Sequence, residues 1–253
     1  MLPVSDFIIA WIGNMLSTRV ITSSLGNNSS TIRGNRGTPQ GGVLSPLLWL
    51  IVVNSILLKF DGLRIEAVAY ADDIAIIMSG LFAQVTCDNM SNALRMLKDW
   101  ATSCGLSINP TKTEVVMFTK KAIPVNLRKP RLDGVTLEFS YKAKYLGVIL
   151  DPRLSWKLNA LERQRRSLNA FYACRSTFGK SWGLSPKNIL WIFKVVIRPI
   201  LTFGALVWWN SCKYASTLEP FRKVQRHMCI AATGALRTTN GDAPLSYSKS
   251  TVH

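Results

Sequence analysis

Residues 67–78 read AVAYADDIAIIM, with Asp72 and Asp73 side by side in a stretch that is otherwise nearly all apolar. Neighbouring residues of a flat strand point to opposite faces of a sheet, so one of the two carboxylates would enter the core. Burying an unpaired carboxylate is costly, because the charged form loses its hydration. A tight turn between two apolar strands avoids this cost. The stretch therefore predicts a hairpin that presents both aspartates at the edge of a sheet.

Two carboxylates on a rigid hairpin suit a hard divalent cation. Mg²⁺ prefers oxygen ligands and is commonly bound through one or two carboxylates together with substrate phosphates. A solvated turn is the alternative interpretation, because aspartate is common in turns for purely local reasons. The Tyr-x-Asp-Asp pattern alone does not exclude that alternative, so the remaining motifs decide between the two.

A glycine-rich loop precedes the hairpin at residues 36–48, RGTPQGGVLSPLL. Glycines allow the backbone to approach a base or a sugar closely, and Gln40 carries both donor and acceptor groups. An ordinary loop before a helix needs only a Gly-Gly pair, whereas the ordered run of Thr-Pro-Gln-Gly-Gly followed by Ser-Pro is more specific. Pro46 suits the first turn of the apolar helix that we predict from Ser45 to about Phe60.

Periodicity and turn residues predict an α+β first half and a helical second half. Helices are predicted over 5–18 and 81–104, a hairpin over 19–36, a turn at Asp61-Gly62, and strands over 63–70, 74–78, 114–119 and 141–150. From Trp156 onward the pattern is helical, with Ser216 and Glu219 as a capping box and Gly234 as the stop of the last helix. The polar tail after residue 235 is expected to be loose.

The positive charge is concentrated in one part of the chain, whose formal net charge is +17. Residues 1–111 carry seven basic and seven acidic residues, whereas residues 112–237 carry 23 basic and six acidic ones. This imbalance indicates a polyanionic partner, with a solvated basic surface as the alternative. Helical spacing places two arginine pairs on shared faces suited to salt-sensitive phosphate contacts: Arg163 with Arg166, and Arg222 with Arg226.

Neither a disulfide framework nor a zinc knuckle is supported by the five widely spaced cysteines. Their pattern fits a reducing, intracellular setting, and the N-terminal residues lack the basic region of a signal peptide. Residues 189–209 are long enough to span a membrane, but Lys194 and Arg198 near the middle oppose insertion. We therefore predict a buried helix pair broken at Pro199, and no membrane segment.

Four segments resemble, in order, the successive palm motifs of reverse transcriptases. They are RGTPQGGVLSPLLW, AYADDIAII, GLSINPTKTEVVMF (105–118) and YLGVILD (145–151). The resemblance covers roughly residues 5–240 and is to the non-LTR (LINE-like, Jockey-like) retrotransposon type, although group II intron maturases share two of the motifs. It implies a partial right-hand polymerase palm over 1–151, followed by a helical thumb and extension over 152–235 and a loose tail over 236–253.

The resemblance also implies roles for individual residues in RNA-directed DNA synthesis. Asp72 would be the principal ligand of Mg²⁺ (or Mn²⁺), with Asp73 supporting it and Lys112 assisting the pyrophosphate leaving group. The residues implied to lie near the template base, the nucleotide and the primer end are Gly37, Pro39, Gln40, Gly41 and Tyr70. The implied primer grip is Tyr145, Leu146 and Gly147. The implied partners are an RNA template, a DNA primer and dNTP, with the oligomeric state left open.

One carboxylate of the family's metal site has no counterpart in the sequence. It is expected on a strand before the glycine loop, but the acids that precede Asp72 are Asp6, Asp61 and Glu66, and none fits. We therefore expect a truncated palm without fingers, with little or no polymerase activity alone, located in the nucleus or in a cytoplasmic ribonucleoprotein. The alternatives are a non-catalytic binder of RNA or RNA–DNA hybrid and a maturase-like reverse transcriptase.

Overall fold

The structure is a computed structural model that describes residues 4–34, 37–39, 41–178, 184–236 and 238. Gln40 and most of the predicted tail lie outside the described residues. The chain divides into two compact units. The first is Met1–Thr113 with Val125–Leu137, and the second is Glu114–Pro124 with Glu138–His253. The predicted functional boundary after residue 151 is a different division and stays a prediction.

The first unit combines helices with short antiparallel hairpins. In chain order its elements are α1 (Asp6–Ser17), β1 (Val20–Leu25), β2 (Asn28–Arg33), α2 (Ser45–Gly62), β3 (Glu66–Tyr70), β4 (Asp73–Ile77), α3 (Ala83–Ser103), β5 (Arg131–Leu132) and β6 (Val135–Thr136). The pairs β1–β2, β3–β4 and β5–β6 are each antiparallel. The predicted mixture of helices and strands is confirmed at this level.

The sequence signals for the first helices act locally as expected. Ser5 caps α1, with its Oγ accepting a hydrogen bond from the Ile8 N–H at 3.4 Å. Pro46 occupies the first turn of α2, where a missing N–H has no cost. The helix continues through the predicted Asp61-Gly62 turn and ends at Gly62, because the Leu63 N–H donates back to the Phe60 carbonyl at 3.0 Å.

The core of the first unit lies between α2, α3 and the β3–β4 hairpin. Ile56 and Phe60 of α2 and Ala93 and Leu97 of α3 are buried together. Partly buried side chains of the hairpin region pack against this cluster: Ile65, Ala67, Ile74, Ile76 and Met78. The hairpin that carries the aspartate pair therefore rests on a hydrophobic core.

The second unit consists of one short hairpin followed by helices. Its elements are β7 (Ala143–Tyr145), β8 (Val148–Leu150), α4 (Lys157–Phe178), α5 (Pro186–Ile192), α6 (Arg198–Thr202), α7 (Ala205–Trp208) and α8 (Ala215–Thr233). Its core is formed by side chains of α4, α5, α6, α8 and the α5–α6 junction: Phe171, Ile189, Ile192, Ile197, Leu201, Val224 and Met228. The prediction of a helical region from Trp156 is confirmed for the described residues.

Two strand predictions differ from the structure. Over 114–119 only a single parallel bridge forms, between Val115 and Phe139. Over 141–150 the chain makes the β7–β8 hairpin instead of one strand, turning at Leu146 (φ 45°) and Gly147 (φ 81°). A run of apolar residues does not reveal a two-residue turn, whereas positive φ at Gly147 is readily adopted by glycine.

The predicted helix break at Pro199 is displaced. The chain widens into a π-turn over Phe193–Ile197 and continues into α6, with Pro199 in its first turn. In a regular helix proline lacks a donor N–H and its ring collides with the carbonyl four residues earlier, and here the segment before Pro199 is π-helical rather than α-helical. The helix ends instead before Gly204, which has φ 68°.

The last helix confirms one end signal and corrects the other. Gly234 ends α8 in the left-handed conformation, as predicted. The predicted capping box is wrong, because α8 starts at Ala215 and the N-cap residue before it, Tyr214, makes no side-chain cap. Ser216 and Glu219 therefore lie within the helix rather than at its boundary.

Among the described residues, one helix and one bent helix pair reach the length and apolar composition of a membrane span. By length and composition α2 qualifies, as does the bent pair Pro186–Thr202 and Ala205–Lys213, whose two parts meet at 53°. Ile56 and Phe60 of α2 belong to the first unit's core.

Candidate functional site

The β3–β4 hairpin turns at Ala71 and Asp72. Its register pairs Tyr70 with Asp73, so Asp72 lies in the turn and Asp73 is the first residue of β4. The strand predicted over 74–78 therefore begins one residue earlier, so Asp72 lies in the turn and Asp73 does not. Ala71 adopts φ 52°, a left-handed conformation that is uncommon for a residue with a side chain. Both aspartates are exposed.

The two faces of the hairpin differ in burial. Ile74 and Ile76 of β4 pack on the core, which assigns Asp73 to the opposite, solvent-exposed face. Directly paired residues of an antiparallel hairpin project from the same face, so Tyr70 accompanies Asp73 there. The Tyr70 side chain is 65% exposed. The exposed face at the tip therefore carries an aromatic ring beside a carboxylate.

A tryptophan that the sequence analysis did not single out anchors the turn. Trp49 of α2 donates a hydrogen bond from its Nε1 to the carbonyl oxygen of Ala71 at 2.5 Å. This contact fixes the strained residue next to Asp72. The signal available in the sequence was only that an indole N–H usually finds an acceptor, which does not say where along the chain the acceptor lies.

The glycine-rich loop is fastened to the same end of α2. The Pro39 carbonyl accepts hydrogen bonds from Ser45 Oγ at 2.6 Å and from the Gly42 N–H at 3.1 Å. Gly37 and Gly41 have φ of 70° and 82°. Ser45 and Trp49 are one helical turn apart, so one turn of α2 holds both the loop and the hairpin tip.

The surroundings of the aspartate pair determine how it fits a divalent cation. Within the described part of the chain no ion pair involves Asp72 or Asp73, and no cluster of three or more His, Cys, Asp or Glu side chains could hold a metal. Two adjacent carboxylates fit one Mg²⁺ that completes its coordination with phosphate and water. Glu66 does not add to them, because it pairs with Ile77 at the other end of the hairpin, roughly 13 Å along β3.

Comparison with known proteins assigns the first part of the chain to a family. Residues 2–150 match the family model described as reverse transcriptase (RNA-dependent DNA polymerase), which is more than half of the chain. The chain belongs to the reverse transcriptase family. The motifs at the hairpin and the glycine-rich loop both lie within the matched residues.

Relatives of this reverse transcriptase chain are retrotransposon proteins. It is 27% identical over 213 residues to "Retrovirus-related Pol polyprotein from type-1 retrotransposable element R1" of Nasonia vitripennis, covering 82% of this chain and 63% of that protein. It is 28% identical over 228 residues to "RNA-directed DNA polymerase from mobile element jockey" of Drosophila funebris, covering 84% and 24%. The resemblance to reverse transcriptases of non-LTR retrotransposons is confirmed. No solved structure matches the chain.

Lys112 lies in the first unit of this reverse transcriptase chain, at the end of a short 3-10 helix, Pro110–Lys112. Asn109 starts that helix by accepting hydrogen bonds from the Thr111 N–H at 2.9 Å and its Oγ1 at 2.7 Å. Lys112 is exposed, and in the described residues no hydrogen bond or ion pair joins it to the aspartate pair. Its role as an acid toward pyrophosphate stays a prediction.

The three residues implied as a primer grip lie at the β7–β8 turn of the second unit. Leu146 is exposed at the turn, whereas Tyr145 and Gly147 are half-buried. Behind the turn, Arg163 of α4 is 2% exposed and donates a hydrogen bond from Nη2 to the Gly147 carbonyl. Burial lowers the pKa of Arg163 from its ordinary value. We therefore do not propose Arg163 as a phosphate contact.

The other arginines of the reverse transcriptase's second unit remain closer to the surface. Arg166 and Arg165 both bind Glu162 on α4, at 2.7 and 2.8 Å. The hydrogen bonds from Arg165 and then Arg166 lower the pKa of Glu162 to about 2. On α8, Arg222 is exposed and Arg226 half-buried, one turn apart on the side away from Val224 and Met228.

Asp151, the last residue of the YLGVILD motif, organises the entry into α4. Its carboxylate accepts hydrogen bonds from the N–H groups of Arg153, Ser155 and Trp156 and from Ser155 Oγ, all at 3.0–3.1 Å. Leu154 and Trp156 have φ of 48° and 63°, conformations that persist only where the surroundings hold them. The role of Asp151 was not predicted from the sequence, although the residue belongs to a recognised motif.

Replacing Asp151 by alanine is expected to destabilise the chain by about 3 kcal/mol, because four donors lose a charged acceptor that is 7% exposed. Urea unfolding followed by tryptophan fluorescence measures the change. Asp99→Ala, which removes an exposed carboxylate from α3, is the matched control and is expected to change stability by less than about 0.5 kcal/mol. Equal losses in the two variants would contradict the assignment.

Proposed function

We propose that this chain forms part of an RNA-directed DNA polymerase of a non-LTR retrotransposon. The reaction joins a dNTP to the 3′-hydroxyl of a primer on an RNA template and releases pyrophosphate. The observation that carries the proposal is the exposed Asp72–Asp73 pair on a hairpin tip, anchored through Trp49 to the helical turn that also holds the glycine-rich loop. The confirmed family and the names of the relatives support the same chemistry.

The carboxylates of Asp72 and Asp73 would hold the divalent cation, Mg²⁺ or Mn²⁺. A bound cation of this kind lowers the pKa of the primer hydroxyl and neutralises charge on the leaving pyrophosphate. The chain's own contribution is position: Trp49 fixes the turn before Asp72, and β-pairing sets Asp73 beside Tyr70. Tyr70 offers an exposed ring to the last primer sugar.

The glycine-rich loop would contact the template base and the incoming nucleotide. The positive φ at Gly37 and Gly41 suits glycine, and the absence of Cβ atoms lets the backbone approach a base closely. The Pro39 carbonyl accepts a hydrogen bond from Ser45, which ties this residue of the loop to the start of α2. Gln40 belongs to this proposal through the family motif alone.

The finer architecture is also part of the proposal. We infer a partial right-hand palm over 1–151 and a helical thumb and extension over 152–235, while most of the predicted tail over 236–253 lies outside the described residues. Helices α4–α8 support the thumb, and the antiparallel hairpins support the palm. In the structure the β7–β8 hairpin belongs to the same compact unit as α4–α8.

The basic second half would bind the phosphates of the template–primer hybrid. Its 23 basic against six acidic residues over 112–237 support this partner, and Arg166, Arg222 and Arg226 are the arginines that we propose as phosphate contacts. Affinity for a hybrid should therefore fall steeply as salt is raised. An RNA partner also suits a nuclear or cytoplasmic ribonucleoprotein location.

A non-catalytic binder of RNA or RNA–DNA hybrid is the second candidate. It is favoured by the distribution of charge, because residues 1–111 are electrically balanced and the whole excess lies in residues 112–237. A maturase-like reverse transcriptase shares the chemistry of the first candidate and differs only in its template. The two classes are separated by asking whether the chain adds nucleotides.

Primer extension on an RNA template tests the proposal with the 253-residue chain itself. With enzyme in excess and Mg²⁺ present, we expect at most slow addition, because two carboxylates cannot fix the two cations that nucleotidyl transfer uses. Any addition should vanish in Asp72→Asn, while binding of the hybrid is retained. Rapid multiple-turnover extension would contradict the two-carboxylate argument, and extension that survives Asp72→Asn would contradict the site.

A further inference from the structure

The Leu146–Gly147 turn holds a conformation that its own sequence does not stabilise. Both residues have positive φ, 45° and 81°, as in the tight turns that join twisted antiparallel strands. Glycine adopts this conformation freely, but leucine does so at a cost because its Cβ crowds the backbone. Such a residue stays in place only where its surroundings determine it.

Three neighbours in the second unit surround the turn. Arg163 donates to the Gly147 carbonyl, and its guanidinium carbon lies 4.6 Å from the centre of the Phe203 ring. That ring also lies against Gly147, where an added Cβ would meet Phe203 Cε1 at 3.1 Å. Ile149, on the strand that follows the turn, donates a hydrogen bond from its N–H to Asn159 Oδ1 of α4 at 3.3 Å. The turn is therefore held from α4 and from the end of α6.

Arg163 is a buried cation, which is unfavourable unless nearby groups stabilise its charge. Glu162, the acidic neighbour on α4, has its oxygens taken by Arg165 and Arg166. The guanidinium of Arg163 instead contacts a carbonyl oxygen and an aromatic face, both of which bind a planar cation well. Glutamine, the neutral amide closest in shape, has a shorter side chain and no charge, so it would neither make this charge-assisted hydrogen bond nor stack as strongly on Phe203.

We propose that Arg163 is a positioning residue, which holds the Leu146–Gly147 turn rigid so that Leu146 is presented to the primer strand. The inference rests on the proposed function, in which residues 145–147 contact the primer. Leu146 is the exposed member of the three, while Tyr145 and Gly147 are half-buried. Arg163 acts through the turn and does not touch nucleic acid.

The experiment combines amide hydrogen exchange with a binding preference in the 253-residue chain. The binding preference is the ratio of affinities for an RNA–DNA hybrid with a recessed primer 3′ end and for the same hybrid without an internal end. Arg163→Gln should speed exchange at residues 146–150 by at least about tenfold, because it removes a charge-assisted hydrogen bond. Exchange in the α8 core, at Val224 and Met228, should stay unchanged.

The same variant should lower the preference for the recessed end by at least about fivefold, with Arg163→Lys restoring part of it. Arg165→Gln is the matched control, since it removes the same charge from an exposed position on the same helix. It should weaken binding to both hybrids equally. Phe203→Leu keeps every charge and removes the ring that stacks on Arg163, so it should have the same effect as Arg163→Gln. It is the test to use if Arg163→Gln exposes the α8 core.

The possible results test the positioning role of Arg163 separately from the proposed contact between residues 145–147 and the primer. Unchanged exchange at residues 146–150 in both Arg163→Gln and Phe203→Leu, with the wild-type end preference intact, would overturn the positioning role alone. A loss of end preference in Arg165→Gln equal to that in Arg163→Gln would also overturn it, since charge alone would then explain the effect. A wild-type chain without any end preference would overturn the primer contact and with it the proposed function of the turn.

Discussion

Replacing Asp72 by asparagine is expected to weaken Mn²⁺ binding by roughly 100-fold when primer, template and dNTP are present. The substitution keeps the shape of the turn residue and removes the charge that attracts a divalent cation. Asp73→Asn should have a smaller effect, about tenfold, because Asp72 is proposed as the principal ligand of the ion and Asp73 as the supporting one. Titration of the free-ion electron paramagnetic resonance signal of Mn²⁺ measures both constants.

Asp61→Asn is the control for this experiment. Asp61 is an exposed carboxylate on α2 in the same compact unit, so its replacement makes the same change in net charge. Its effect on Mn²⁺ affinity should stay within about twofold, as expected for a solvent-screened charge. If Asp61→Asn and Asp72→Asn weaken binding equally, the cation is held by the general field of the protein and not at the hairpin tip.

The hairpin could be predicted because its signal is local. Two apolar runs flank a pair of charges, and burial of an unpaired carboxylate excludes a continuous strand. The sequence did not reveal that Asp73 begins β4, because a one-residue shift of the turn keeps the same apolar pattern in the strands. It also did not reveal Trp49, whose partner Ala71 lies 22 residues away along the chain.

The elements set by long periodic patterns were predicted to within a few residues, as α1, α2 and α3 show. Short elements were not, because their ends depend on backbone conformations that side-chain pattern does not encode. The β7–β8 hairpin requires positive φ at Leu146, and the π-turn before Pro199 requires one extra residue in a helical turn. Both conformations are held by tertiary contacts.

The burial of Arg163 could not be predicted from the sequence for the same reason, because it depends on tertiary contacts. Its helix, α4, also carries Glu162, Arg165 and Arg166, and a row of charges on a helix predicts a solvated face. The structure buries Arg163 because the β7–β8 turn offers it a carbonyl and Phe203 offers it a ring. Neither partner is adjacent in sequence, so helical spacing alone assigns this arginine to the phosphate-binding surface.

Replacing Phe60 by alanine is expected to lower the free energy of unfolding of the first unit by about 3–5 kcal/mol, because a fully buried ring leaves a cavity. Phe60 is 0% exposed and packs with Ile56, Ala93 and Leu97 beneath the β3–β4 hairpin. Urea unfolding followed by tryptophan fluorescence gives the change. Leu58→Ala, on the same helix but 63% exposed, should change stability by less than about 1 kcal/mol.

The consequence for the metal site follows from the same packing. Ile74 and Ile76, next to Asp73 on β4, rest on the cluster that contains Phe60, so a cavity there loosens the strand that positions the carboxylate. Phe60→Ala should therefore weaken Mn²⁺ binding under conditions in which the variant remains folded, although Phe60 itself carries no ligand atom. If Mn²⁺ affinity were unchanged in the folded variant, the tip would be held by Trp49 and strand pairing alone.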